Sequence, residues 1–148
     1  MRIMSLRDPL NKMSKSDTSD GSRINLTDSD DLIAAKIKKA VTDSEPTIYY
    51  DPDNRPAVTN LLNIFGAITG DDIENYGDKS QNTAEFKKSL SDVLIEHISP
   101  IRSEINRLIL NDSAELEKIM REGASIARSI ARNTISDVRK MVGLCDVW

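Results

Sequence analysis

The stretch Asp8-Pro9-Leu10-Asn11-Lys12-Met13-Ser14-Lys15-Ser16-Asp17 is a loop by composition, bounded by Asp-Pro on one side and Asp17 on the other. At its centre two lysines stand three residues apart among serines. That spacing puts two point charges and several hydroxyl and amide donors within reach of one triphosphate. The alternative reading of the same five residues is a plain solvated polar loop. Upstream, Arg2-Ile3-Met4-Ser5-Leu6 reads as the end of a buried strand. Downstream, Asp17 to Ser22 is loop-forming and Arg23-Ile24-Asn25-Leu26 reads as a short second extended piece. The lysine loop is therefore expected in a strand-to-helix connection.

Beyond residue 27 the pattern is helical. Thr27-Asp28-Ser29-Asp30-Asp31 suits a helix N-terminus, and Leu32, Ile33, Ile37, Ala40 and Val41 then mark one apolar face. Lys36, Lys38 and Lys39 fall in the C-terminal half of that helix, where they suit its dipole or a nucleic-acid contact. A connector, Thr42 to Arg55, carries Tyr49, Tyr50 and Pro52. Pro56 opens the next helix, Val58, Leu61, Leu62, Phe65 and Ile68 form its core face, and Gly70 offers a stop. Asn60 and Asn63 lie off that face and read as solvated amides or base readers.

A third helix is predicted over 83–99, with Phe86, Leu90, Val93, Leu94 and Ile98 inward and Pro100 kinking or breaking it. Ile101, Ile105, Leu108 and Ile109 continue an apolar stripe to Asn111. The last helix starts at Asp112-Ser113-Ala114-Glu115, which resembles a capping box, with Gly123 as a candidate break and Gly143 as its end. Arg121, Arg128, Arg132 and Arg139 are spaced by seven, four and seven residues, one stripe of a continuous helix. Such a stripe suits RNA phosphates and stacked bases; it equally suits a solvated face paired to Glu117, Glu122 and Asp137.

Composition narrows the class. The chain has 148 residues, 30% charged and 39% hydrophobic, which allows about one domain, and no apolar run spans a bilayer. Aromatic residues make up 4%, so aliphatic side chains must build the core. A net charge of -4 argues against generic polyanion binding but leaves room for a local basic stripe. The lone cysteine, Cys145, rules out an intramolecular disulfide and a thiolate zinc cluster. The first residues show no signal or transit-peptide pattern.

Lys12 to Ser16 spells KMSKS, the ATP-handling signature of class I aminoacyl-tRNA synthetases, and the chain resembles tryptophanyl-tRNA synthetase more widely. Arg2 to Leu6, Asp8-Pro9, Lys12 to Asp17, Ala40-Val41-Thr42-Asp43-Ser44, Tyr50-Asp51-Pro52 and Pro56 to Leu62 stand in that family's order. Gln81 to Lys87 looks more like mitochondrial members. The tyrosine enzymes share the loop, but the Thr42-Asp43-Ser44 and Tyr50-Asp51-Pro52 context favours the tryptophan ones.

The resemblance implies a mainly α fold: the C-terminal edge of a Rossmann-type catalytic domain over residues 1–27, a connecting helix and linker over 28–55, and a helical anticodon-binding domain over 56–148. It implies Lys12 and Lys15 as catalytic cations, and Ile3, Lys12, Met13, Ser14, Lys15 and Ser16 as the ATP contacts, with Mg²⁺ arriving as part of the substrate complex and no protein-bound metal. Mobile cations closing on phosphate charge as it develops lower the barrier to adenylate formation.

Implied partners are tRNA(Trp), tryptophan and ATP, plus a second copy where the catalytic domain is present; neither DNA nor a membrane is among them. The implied compartment is the mitochondrial matrix, or alternatively a bacterial cytoplasm. One departure stands out. The family's HIGH-type histidine pair and tryptophan pocket precede the loop, whereas this chain has a single histidine, His97, expected in a core or surface position. The chain is thus expected to be the C-terminal portion of a tryptophan-tRNA ligase and not to adenylate tryptophan alone. A non-catalytic helical RNA-binding or partner-binding protein derived from a synthetase is the alternative.

Overall fold

Local signals set the helix boundaries in the computed structural model, which describes residues 2–76, 82–111 and 113–144. Helix α1, Asp30–Lys38, begins where the Ser29 hydroxyl accepts the Leu32 amide and where Asp30 and Asp31 meet the positive end of the dipole. Helix α2, Pro56–Thr69, opens on proline and closes on Gly70, whose φ of 80° is the left-handed cap that glycine adopts without strain. Helix α3 is Thr83–Asn106 and α4 is Ser113–Met141. A π-helical turn, Arg107–Asn111, lies between them, and short 3₁₀ turns occupy Asp20–Ser22 and Ile73–Asn75. The fold is mainly helical, as expected. Cys145, Gln81 and Asp112 lie outside the described residues.

Three boundaries differ from the sequence reading. Arg2 to Leu6 and Arg23 to Leu26 form no strand; among the described residues, extended pairing is limited to isolated bridges, Met4 with Lys12 and Thr47 with Asn82. Helix α3 continues through Pro100, which does not break it. Pro100 and Glu96, whose carbonyl loses its helical donor, both lie on the exposed side, where water replaces the missing bond. Helix α4 is continuous past Gly123 and ends as predicted near Gly143, which has φ 74°.

The chain divides between Ser103 and Glu104 into two compact units. In the first, one aliphatic core gathers Leu6 from the N-terminal stretch, Ile33 and Ile37 from α1, Ile48 from the connector, Val58, Leu61 and Leu62 from α2, and Phe86 and Leu90 from α3. Phe65, Tyr76 and Phe86 meet at ring-centroid distances of 5.8 to 6.0 Å. Gly66 makes this possible, because a β-carbon there would collide with Ile73 of the second 3₁₀ turn. Leu32 and Val41, assigned by periodicity to the core, are instead exposed; α1 ends at Lys38, before the pattern does.

The connector is tied down by a single buried cation. Arg55 donates to both carboxylate oxygens of Asp43 at 2.6 and 2.9 Å and to the carbonyls of Thr47 and Glu45, and its guanidinium lies 4.4 Å from the Tyr49 ring centre. The Arg55 bond holds the Asp43 carboxyl below the usual carboxylate range against the opposing effect of burial.

In the second unit Arg107 bridges Glu104 and Glu115, joining the π turn to the start of α4. No residue of α4 is buried, so Leu116, Ile119, Ile126 and Ile130 form an exposed apolar stripe. Ile101 and Ile109, read as continuing the core stripe, are exposed as well. Phe86 fills the centre of the first unit without any access to solvent. Phe86→Ala is therefore expected to lower the unfolding free energy by about 4 kcal/mol, read from the urea midpoint.

Candidate nucleotide loop and its anchors

The lysine loop leaves the core as the far arm of a small hairpin. Residues 3–5 and 11–13 run antiparallel: the Met13 amide donates to the Ile3 carbonyl at 3.1 Å and the Ser5 amide to the Asn11 carbonyl at 2.8 Å. Asp8 builds the turn between them, accepting the Leu10 amide and the Asn11 side-chain amide. Lys12 stands opposite Met4 as the non-hydrogen-bonded pair of this ladder. This hairpin replaces the expected strand-to-helix connection.

Past Met13 the chain is held mainly by its own side chains. The Ser14 hydroxyl accepts the Ser16 amide and lies 3.0 Å from the Ser16 hydroxyl, and Asp17 accepts the Ser19 amide. Lys12, Ser14, Lys15 and Ser16 are exposed. Neither Lys12 nor Lys15 has a carboxylate partner among the described residues. Ile3 and Met13 are half-buried and pack on the edge of the core, so these two residues root the loop, whereas its Leu10 is exposed. Ile3, Lys12 and Met13 lie on the paired arms of this hairpin, and Ser14, Lys15 and Ser16 follow directly beyond it. It sets Arg121, Arg128, Arg132 and Arg139 on an exposed stripe of α4, in the second unit, and Arg121 there pairs with Glu117 at 3.1 Å. His97 is exposed.

Two anchors escaped the sequence reading. Asn60, read as a solvated amide or base reader, is buried; its carbonyl accepts the Met4 amide at 2.8 Å and its NH₂ donates to the Met4 carbonyl at 2.9 Å. Lys36, read as a dipole-complementing surface lysine or a tRNA contact, is also buried. It pairs with Asp28 at 2.6 Å and with Asp20, in the 3₁₀ turn after the loop, at 2.7 Å. A signal for Lys36 existed: it stands three residues after Ile33 and so on the buried face. Asn60 sits within a run from Ala57 to Leu62 that is buried all round, where an amide must find partners.

The Lys36 pair sets the local electrostatics. Burial works to raise Asp28, yet its bonds with Lys36 and Asn25 hold its carboxyl below the usual range. Bonds from Lys36 and Asn25 do the same for Asp20. Burial opposes the charge on Lys36, but the two carboxylates outweigh it and raise its pKa. A groove of about 700 Å³ between α1 and α3 takes no residue of the loop, and Lys87 at its wall is bonded to the Ala40 carbonyl and the Thr42 hydroxyl.

Residues 1–99 match the family model described as "tRNA synthetases class I (W and Y)". The chain belongs to that family. Among its relatives is a tryptophan–tRNA ligase from Rickettsia prowazekii, 47% identical over 144 residues, which cover 96% of this chain and 43% of the relative. Similar enzymes from Halalkalibacterium halodurans and Brucella melitensis are 39% and 42% identical, over 97% of this chain and 43% and 41% of theirs. This class I synthetase chain therefore spans less than half the length of the curated relatives it matches.

Among solved structures, tryptophanyl-tRNA synthetase from Mycoplasma pneumoniae superposes with a TM-score of 0.78 at 26% identity, over 97% of this chain and 44% of that one. The Campylobacter jejuni enzyme, complexed with ADP and tryptophan, shares the fold with a TM-score of 0.72 at 23% identity, over the same 97% and 44%. The relatives named here are bacterial.

The Lys36 network predicts a specific pH dependence. Because Asp20 and Asp28 titrate below their ordinary value, their contribution is complete above that value and is lost as pH falls through their lower, folded-state pKa values. The Lys36 contribution is complete below its ordinary value of 10.5 and is lost as pH rises through its raised one. Lys36→Met is expected to cost about 3 kcal/mol at neutral pH, since it strands a buried carboxylate. Urea midpoints measured from pH 2 to 7 are expected to fall less on acidification in Lys36→Met than in the parent chain.

Proposed function

We propose that this chain is the C-terminal part of a tryptophan–tRNA ligase, supplying the loop that closes on ATP and helices that meet tRNA(Trp). The observation that carries the reading is the exposed, unpaired Lys12 and Lys15 on a hairpin rooted in the core, in a chain whose relatives are tryptophan–tRNA ligases.

In the whole enzyme ATP, as its Mg²⁺ complex, and tryptophan give tryptophanyl-adenylate and pyrophosphate, and the aminoacyl group then passes to the tRNA with release of AMP. Lys12 and Lys15 neutralise the phosphates as charge moves onto the leaving pyrophosphate. Ser14 and Ser16 donate hydrogen bonds or hold the loop's shape, while Met13 and Ile3 set it against the adenosine. Residues 1–27 serve the catalytic domain, 28–55 connect, and 56–148 face the tRNA, with Arg121, Arg128, Arg132 and Arg139 as phosphate contacts. The enzyme works as a homodimer through its catalytic part. Its compartment is one with bacterial-type translation, a bacterial cytoplasm or a mitochondrial matrix.

In a synthetase carrying this segment behind the N-terminal part its relatives possess, Lys15→Ala is expected to slow pyrophosphate exchange about 100-fold with tryptophan affinity nearly unchanged. An equal loss in rate and tryptophan affinity contradicts the role. For the helical part, replacing Arg128 and Arg132 together by alanine is expected to weaken tRNA(Trp) binding and to lower the slope of log K against log salt by about 2. An unchanged slope removes these arginines from the interface.

A further inference from the structure

We propose that Asn60 is a positioning residue for the KMSKS loop, acting through the backbone of Met4; this rests on the reading of Lys12 and Lys15 as ATP contacts. The geometry has two sides. One edge of residues 3–5 pairs with residues 11–13 through the carbonyl of Ile3 and the amide of Ser5. The other edge exposes the amide and carbonyl of Met4, and the Asn60 side chain engages both at once, as a neighbouring strand would. Asn60 is fixed in turn: it is buried in α2 between Thr59 and Leu61, both in the first unit's interior.

Met4 is the residue directly opposite Lys12. The amide thus determines where the hairpin arm lies, and the arm determines where the Lys12 ammonium leaves the core. Without Asn60, two backbone groups of a half-buried residue lose their partners, and the arm carrying Lys12 loses its reference edge.

Aspartate at this position separates positioning from mere packing. A neutral carboxyl presents one C=O acceptor and one O–H donor in nearly the same places as the amide; the ionised carboxylate has no donor for the Met4 carbonyl. In this chain, followed by amide hydrogen exchange, Asn60→Ala is expected to speed exchange at Ser5 and Met13 about tenfold or more, with the α3 amides of Leu90 and Leu94 unchanged within about twofold. Asn60→Asp is expected to match the parent at low pH and to approach the alanine variant as its carboxyl ionises.

Equal acceleration of core and hairpin amides, or an aspartate variant whose ratio to the parent does not change with pH, overturns the proposal. A second readout, in a synthetase carrying this segment behind the N-terminal part its relatives possess, uses Mg-ATP as the probe and follows protection of Lys12 and Lys15 from acetylation. Protection in the parent that falls at least about fivefold in Asn60→Ala is the expected result, and protection unchanged by the substitution overturns the proposal. Absence of protection in the parent counts against the ATP reading of this chain, while the exchange data still decide the role of Asn60.

Discussion

A backbone segment packed against an aliphatic core must satisfy its amides and carbonyls, and residues 3–6 have no sheet in which to do so. The rest of the loop's architecture follows from how they are satisfied. Ser5 and Ile3 turn to the arm that carries Lys12, and Met4 turns to the Asn60 amide. Leu6 donates to the carbonyl of Ser22 and accepts the amide of Val41, so it joins the segments on either side of α1. These partners lie in four other parts of the chain. The short N-terminal stretch is thus held by the helical unit itself, and the hairpin inherits the rigidity of α1 and α2.

The same residue type serves opposite ends within this small region. Lys36 is buried between two carboxylates and holds the trailing arm of the loop through Asp20. Lys12 and Lys15 are exposed and unpaired among the described residues, with charge open to an anion. Burial decides the difference: a desolvated ammonium needs its partners in place beforehand, whereas a solvated one does not. The contrast gives the loop fixed roots and a tip whose cations are uncommitted.

The parts legible in the sequence were those governed by neighbouring residues. Pro56 and Gly70 mark the ends of α2, Ser29 caps α1, and the spacing of Phe86, Leu90, Leu94 and Ile98 marks the buried face of α3. The five residues from Lys12 to Ser16 carry the family resemblance. What the sequence concealed depends on partners far away in the chain. The bond between Asn60 and Met4 spans 56 residues, and no helical periodicity can announce it. Pro100 does not end α3, because the carbonyl it leaves without a donor, that of Glu96, lies on an exposed side of the helix. The apolar stripe of α4 was readable as a stripe, but periodicity says nothing about whether anything covers it.

The central claim is that the loop is rigid at its roots and free at its tip. Backbone ¹⁵N relaxation across residues 3–22 tests it most directly. The account predicts order parameters near 0.85 at Ser5, Leu6, Met13 and Ser22, falling below about 0.6 from Lys15 to Thr18. A profile that is uniformly low from Ile3 to Ser22, or uniformly high through the serines, contradicts it.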